Sequence, residues 1–197
     1  MIILGLTGSI GMGKSTVSAM FADEDVPVFD ADAVVHKLQG PDGALVAAIE
    51  AHFPGTTGAA GVDRTSLAEA VLGDDRKLEA LEALVHPAVA RERESFLRLH
   101  AGRPLVVLDI PLLFEKGGWE SVDRIAVVSA PADVQRSRVL GRPGMTLDKF
   151  EKILARQLPD ADKRARADFV IPTGGSFDET RQAVRRIIAC LTASTDS

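Results

Sequence analysis

Gly8-Ser-Ile-Gly-Met-Gly13-Lys14-Ser15 follows the apolar run Ile2-Ile-Leu-Gly-Leu6 and opens a stretch, Lys14 to about Asp23, that carries Val17, Met20 and Phe21 at helical spacing. The octet satisfies G-x-x-x-x-G-K-[ST] in full, and it sits between a buried strand and a helix, as such a loop must. Gly8, Gly11 and Gly13 let the backbone approach phosphate without a Cβ in the way. The loop N–H groups and the helix N-terminus are then free to face the β- and γ-phosphates. Lys14 adds a mobile point charge that can follow a transferring phosphoryl group, and the Ser15 hydroxyl suits a Mg²⁺ position. Met12 and Thr16 complete the expected nucleotide contacts. A nucleoside triphosphate such as ATP is the expected ligand, although the loop alone does not separate a kinase from a GTPase or another NTPase.

Outward from this loop, short apolar runs alternate with helical stretches. Val26-Pro-Val-Phe-Asp30, Leu105-Val-Val-Leu-Asp109, Ile125-Ala-Val-Val-Ser129 and Phe169-Val-Ile171 read as further strands. Helices are expected over 32–39, 44–53, 132–140, 147–157 and 177–191. Pro54 to Gly61 reads as a flexible loop with no core residues. From Asp63 to His100 the pattern is almost wholly helical, with Leu67, Val71, Leu78, Leu81, Leu84, Val85, Val89, Phe96 and Leu99 on the apolar side and Pro87 in the first turn of a new helix. The expected fold class is α/β: a three-layer P-loop NTPase fold with a parallel sheet. Its core comprises about 1–31, 102–134 and 167–192. A helical block is inserted at about 32–101, and an arginine-rich irregular piece lies at about 135–166.

Composition narrows the function. The 197 residues carry a net charge of −5, which argues against a nucleic-acid partner, because phosphate neutralisation needs clustered Lys and Arg. No apolar stretch approaches membrane-spanning length and the N-terminus lacks a basic leader, so no membrane is expected and the default location is the cytoplasm. The single cysteine, Cys190, excludes an intramolecular disulfide and reads as a buried, inert thiol on a terminal helix. The stretch Thr192 to Ser197 reads as frayed. A monomer or weak homo-oligomer is the expected assembly.

Several residues are candidates for receiving the phosphate. Asp30-Ala-Asp32 follows the second strand, where a carboxylate can orient an attacking hydroxyl or cap the next helix. Asp32, further along, is the better candidate for chemistry. Asp109 ends a buried strand in the position of a Walker-B-like aspartate. The segment after it, Pro111-Leu-Leu-Phe-Glu115, reads either as core or as an apolar ligand surface. Arg136, Arg138 and Arg142 are spaced so that the last two share a helix face, suited to neutralising transition-state charge. Lys163-Arg-Ala-Arg166 reads as a solvated basic face. His86-Pro87 reads from its residues alone as structural.

Taken together, these motifs resemble the dephospho-CoA kinase family. The resemblance runs in order across nearly the whole chain: Gly5 to Thr16, Asp30-Ala-Asp32, Asp63-Arg64 with Leu67, Leu81-Glu82, His86-Pro87, Pro111 to Glu115, Gln135-Arg136, Arg138, Arg142, Ile153, Gln157, Lys163, and Ala167 to Ile171 with Gly174-Gly175. It implies ATP-dependent phosphorylation of the ribose 3′-hydroxyl of dephospho-CoA, giving coenzyme A and ADP. By motif match it implies that Asp32 orients and deprotonates the hydroxyl, that Lys14 and Arg138 stabilise charge, that Ser15 holds Mg²⁺, and that Arg142 serves the lid. It also places His86 and Pro111, Leu112, Leu113, Phe114 and Glu115 at the acceptor. For the helical block at about 32–101 the resemblance implies a substrate-binding subdomain, and for the piece at about 135–166 a small lid. Three positions depart from the family pattern: Ser9 directly after Gly8, Pro143 after Arg142, and Thr173 where the family carries asparagine. The alternatives are another small-metabolite or nucleoside monophosphate kinase, a GTPase-type switch, for which no N-K-x-D element is present, and a catalytically inactive CoA-binding regulator.

Overall fold

A computed structural model describes residues 1–193. In chain order it comprises β1 (Ile2–Thr7), α1 (Lys14–Asp23), β2 (Val28–Asp30), α2 (Ala31–Gln39), α3 (Val46–His52), β3 (Thr57–Gly58), β4 (Gly61–Val62), α4 (Arg64–Val71) and α5 (Asp75–Leu99). It continues with β5 (Leu105–Asp109), β6 (Arg124–Ser129), α6 (Ala132–Leu140), α7 (Leu147–Leu154), α8 (Asp160–Ala165), β7 (Phe169–Pro172) and α9 (Phe177–Ala193). The described chain divides into two compact units, one of residues 1–29 with 100–193, the other Asp30–Leu99.

The first unit is built on a five-stranded sheet in the order β2-β5-β1-β6-β7. β1 runs parallel to β5, with Leu6 opposite Asp109, and parallel to β6, with Gly5 opposite Ile125. All residues of β5 are buried, so both faces of the sheet are covered; this is why the strand reads as an unbroken apolar run rather than an alternation. Leu4, Leu6, Val107, Val128 and Ile171 pack with Val17 and Phe21 of α1 and Val184 and Ile187 of α9.

The second unit has its own core of Leu38, Leu45, Ile49, Phe53, Leu67 and Ala88, flanked by Leu81, Leu84 and Val85. The stretch expected as a loop contains a small hairpin, in which Thr57 pairs with Val62 and Gly58 with Gly61. Thr56 is buried there, donating its hydroxyl to the Phe53 carbonyl at 2.7 Å, while Glu50 accepts from the Gly55 N–H and the Thr57 hydroxyl. Strands of two residues carry no period that a sequence reading can detect.

Pro87 does not start a helix; it lies inside α5. An interior proline costs about 3 kcal/mol, but Leu84 and Val85 before it and Ala88 and Val89 after it pack into the same core, which holds the helix through the break. Leu78 and Leu99, expected inside, are exposed. So is Cys190: α9 turns Ala183, Val184, Ile187 and Leu191 inward, and residue 190 falls outside that stripe. Thr192 and Ala193 complete α9, and the rest of the expected frayed end lies outside the described residues.

Ile49 is fully buried at the centre of the second core. Ile49→Ala is expected to lower stability by about 2–5 kcal/mol. Thermal or denaturant unfolding checks this, and a loss well under about 1 kcal/mol would show that this core is not packed around Ile49.

Candidate active site

The loop between β1 and α1 is shaped by close approach. Gly11 and Gly13 have φ of 78° and 87°, in the left-handed region. A Cβ on Gly8 would lie 2.8 Å from the Val128 carbonyl oxygen, and one on Gly11 would lie 2.4 Å from Val139 Cγ2. The Met12 side chain turns inward: it is buried, and its sulfur accepts from the Ala130 N–H at 3.1 Å. Any contact of Met12 with a nucleotide is therefore through its backbone. Ser15 and Thr16 are exposed on the first turn of α1.

Lys14 forms an ion pair with Asp109, whose side chain is 2% exposed. The pairing of β1 with β5 makes this possible, because Leu6 and Asp109 are in register. Asp109 is thus a buried carboxylate at the end of a strand beside the loop lysine. On the other side of the loop, Arg138 of α6 donates to the Thr173 carbonyl at 2.6 Å and to its hydroxyl at 3.3 Å. The Thr173 hydroxyl itself donates to the Met12 carbonyl at 2.6 Å. Arg138 Nη1 lies 3.6 Å from where a Cβ on Gly13 would stand. A lysine and an arginine therefore flank the loop, one held by Asp109 and the other by Thr173. Arg142 is exposed in the turn that follows α6.

The segment after β5 resolves into two kinds of residue. Leu113 is fully buried, packed where it would meet a Cβ on Gly5 at 3.1 Å, so it belongs to the core and not to a ligand surface. Pro111, Leu112 and Phe114 are half-buried, and the Pro111 carbonyl accepts from the Thr7 hydroxyl at 3.1 Å. Glu115 is engaged internally: Oε1 accepts from the Leu158 N–H at 2.8 Å and lies 2.9 Å from Lys163 Nζ. Lys163 is 0% exposed, which corrects its reading as part of a solvated face. Lys163 is the buried residue of α8, and its buried ammonium is tolerated because Glu115 neutralises it. Burial pushes the Glu115 carboxyl up, but Lys163 and the Leu158 N–H outweigh that and hold it below the usual glutamate value.

In the second unit, Asp30 and Asp32 separate cleanly. Asp30 caps α2, accepting from the Ala33 N–H at 2.9 Å, whereas Asp32 is exposed on the first turn. A cavity of about 500 Å³ is lined by Asp32, Val35, His36, Arg64, Leu67 and Leu81, among others. Arg64 Nη1 and His36 Nε2 are 2.6 Å apart on its lining, which makes His36 the acceptor of an Arg64 N–H. Neither residue stands out by spacing, and only the fold brings them together. His86 is exposed on α5 and is not among the residues lining this cavity.

The family model described as dephospho-CoA kinase matches residues 2–179. A protein of Novosphingobium aromaticivorans named dephospho-CoA kinase is 60% identical over 189 residues, covering 96% of this chain and 94% of that protein. A crystal structure from Thermus thermophilus is similar at a TM-score of 0.84 and 37% identity, covering 97% of this chain and 98% of that one. A dephospho-CoA kinase structure from Campylobacter jejuni, at 22% identity with 98% of both chains covered, shares the fold at a TM-score of 0.72.

The Glu115–Lys163 pair has a measurable signature. Because the folded-state value of Glu115 is lowered, its contribution to stability is complete above the ordinary value of 4.5 and is lost as pH falls below it through the lowered value. Glu115→Gln is therefore expected to be less stable than wild type at neutral pH, with the gap narrowing as the solution is acidified below 4.5. Unfolding followed against pH checks this, and a gap that stays constant on acidification would contradict it.

Proposed function

This chain belongs to the dephospho-CoA kinase family, an ATP-dependent kinase carrying out the final step of coenzyme A synthesis, and on that premise we propose how its residues divide the work. The acceptor is dephospho-CoA, and its ribose 3′-hydroxyl attacks the γ-phosphorus of ATP. One P–O bond forms as the bond to the ADP oxygen breaks, and the hydroxyl proton passes to Asp32. Backbone N–H groups of the Gly8 to Thr16 loop, those of Gly11, Gly13, Lys14 and Ser15 among them, cradle the triphosphate, while the Ile10 and Met12 N–H groups are engaged within the protein. Lys14 and Arg138 offset the charge that spreads over the transferring group. Arg142 adds to this from the lid, about 135–166, whose closure excludes water so that ATP is not simply hydrolysed.

Mg²⁺ suits the donor set. Ser15 is exposed on the first turn of α1 and Asp109 is a hard oxygen donor paired with the neighbouring Lys14, while Mg²⁺ itself keeps several waters and asks for few protein ligands. When bound with ATP, it neutralises phosphate charge. The unit Asp30–Leu99 takes the acceptor. Its cavity offers an apolar wall of Val35, Leu67 and Leu81 to the acceptor's uncharged arm and the Arg64 guanidinium to its phosphates. His86, Pro111, Leu112 and Phe114 are secondary acceptor contacts.

The observation that carries this reading is the complete phosphate loop with Lys14 held at Asp109 and Arg138 held at Thr173. A GTPase-type switch would call for an N-K-x-D element, which the sequence lacks, and an inactive regulator would have no need of the intact Lys14, Ser15 and Asp32. The test is ADP release from MgATP with and without dephospho-CoA. Wild type is expected to release ADP only with the acceptor, one for one with coenzyme A. Asp32→Asn is expected to lower turnover by about 10²–10⁴-fold while MgATP affinity stays within about threefold. Undiminished turnover in that variant would remove Asp32 from the chemistry, and phosphorylation of AMP in place of dephospho-CoA would remove the acceptor assignment.

A further inference from the structure

Ile10 sits in the middle of the phosphate loop, and two glutamine side chains grip its backbone. The Gln135 carboxamide, on α6, donates from Nε2 to the Ile10 carbonyl at 2.7 Å. The Ile10 N–H donates to Gln157 Oε1 at 3.1 Å. The two glutamines come from different elements, and each is far from Ile10 in sequence. Gln135 is 6% exposed. Gln157 lies in the turn after α7, and the next residue, Leu158, is tied through its N–H to Glu115, which is held in turn by Lys163. The Gln157 carboxamide is thereby aimed from behind.

The grip reaches beyond Ile10 because peptide units are planar. The Ile10 carbonyl shares a plane with the Gly11 N–H, so Gln135 fixes the direction in which that N–H points. The Ile10 N–H shares a plane with the Ser9 carbonyl, so Gln157 fixes that carbonyl, which accepts the Met12 N–H at 3.1 Å. Two consecutive peptide planes at the start of the loop are therefore set by side chains outside it. Gly11 otherwise has wide conformational freedom, and an anion cradle works only if its N–H groups are aimed before the anion arrives.

We propose that Gln135 and Gln157 are positioning residues for the nucleotide: a donor and an acceptor that lock the Ser9–Ile10 and Ile10–Gly11 peptide planes so that the loop is preorganised for the triphosphate. This rests on the reading of Gly8 to Ser15 as the ATP site. The roles are not interchangeable. Gln135 must donate, whereas Gln157 must accept. The same substitution at the two positions therefore has opposite consequences. Gln157→Glu keeps an acceptor for the Ile10 N–H. Gln135→Glu loses the donor and sets a carboxylate against the Ile10 carbonyl. Gln135→Met loses the donor but keeps the volume and adds no charge.

The experiment is MgATP affinity by calorimetry on the three full-length variants, with unfolding temperature and KM for dephospho-CoA measured alongside. Gln135→Glu and Gln135→Met are expected to bind MgATP about tenfold or more weakly, and Gln157→Glu within about threefold of wild type. KM for dephospho-CoA is expected to stay within about twofold throughout. Gln135→Met guards against a folding defect in the charged variant. If Gln135→Met binds MgATP as wild type does, or if the two glutamate variants are equally impaired, the proposal is wrong. A wild type that binds MgATP yet leaves dephospho-CoA unphosphorylated counts against the acceptor assignment alone, because the clamp is judged on nucleotide binding.

Discussion

The pairing of Lys14 with Asp109 is the contact on which the nucleotide end of the sheet depends. Asp109 is a carboxylate at 2% exposure, at the end of a strand buried on both faces. A buried charge of that kind is costly unless a counter-charge lies against it, and removing one partner of such a pair typically costs about 3–5 kcal/mol. Lys14 can supply the counter-charge because β1 and β5 are neighbours in register, so the loop leaving β1 passes over the end of β5. The strand order therefore does more than build a core. It brings the cation of the phosphate loop to the anion that ends the adjacent strand.

With Lys14 fixed at one side, the remainder of the loop is shaped by what surrounds it. Gly8 lies against the Val128 backbone and Gly11 against Val139, so neither position tolerates a Cβ. The Met12 sulfur and carbonyl are both engaged, by Ala130 and Thr173. The same Thr173 holds the Arg138 guanidinium. Threonine at this position is thus a connector, because its one hydroxyl donates to the loop and accepts from the arginine. A shift of β7 relative to α6 would disturb the loop and Arg138 together. This coupling follows from geometry and not from the identity of the ligand.

The readable parts of the sequence were those with local causes. β1, β5 and β6 announce themselves as apolar runs because the inner strands are covered on both faces, β7 is a short apolar run at the sheet edge with Val170 exposed, and the phosphate loop is a contiguous pattern. What escaped reading depends on partners distant in the chain or on the phase of a helix. Lys163 lies in a basic run that looks solvated, and its burial is intelligible only with Glu115 beside it. Gln135 and Gln157 meet at Ile10 from positions 125 and 147 residues away along the chain. Cys190 is adjacent to the inward-facing Leu191, and a one-residue step around α9 moves it to the surface. The Arg64–His36 pair spans an insertion whose helices pack on each other in a way that no single segment encodes.

The two aspartates after β2 differ in how their carboxylates are engaged. Asp30 has the extended backbone of a helix cap, and its carboxylate is engaged by the Ala33 N–H. That engagement leaves it poorly placed to meet a substrate hydroxyl. It also fixes where α2 begins. Asp32 lies on the first turn of that helix, so its backbone position is set by the cap while its side chain stays exposed. In a loose phosphoryl-transfer transition state the proton leaves late, and the demand on the carboxylate is to orient the hydroxyl more than to ionise it in advance. A solvent-facing carboxylate on a capped first turn suits the role proposed for Asp32. On the role proposed for Asp32, the cap at Asp30 helps place that carboxylate, because replacing Asp30 would loosen the turn that carries it.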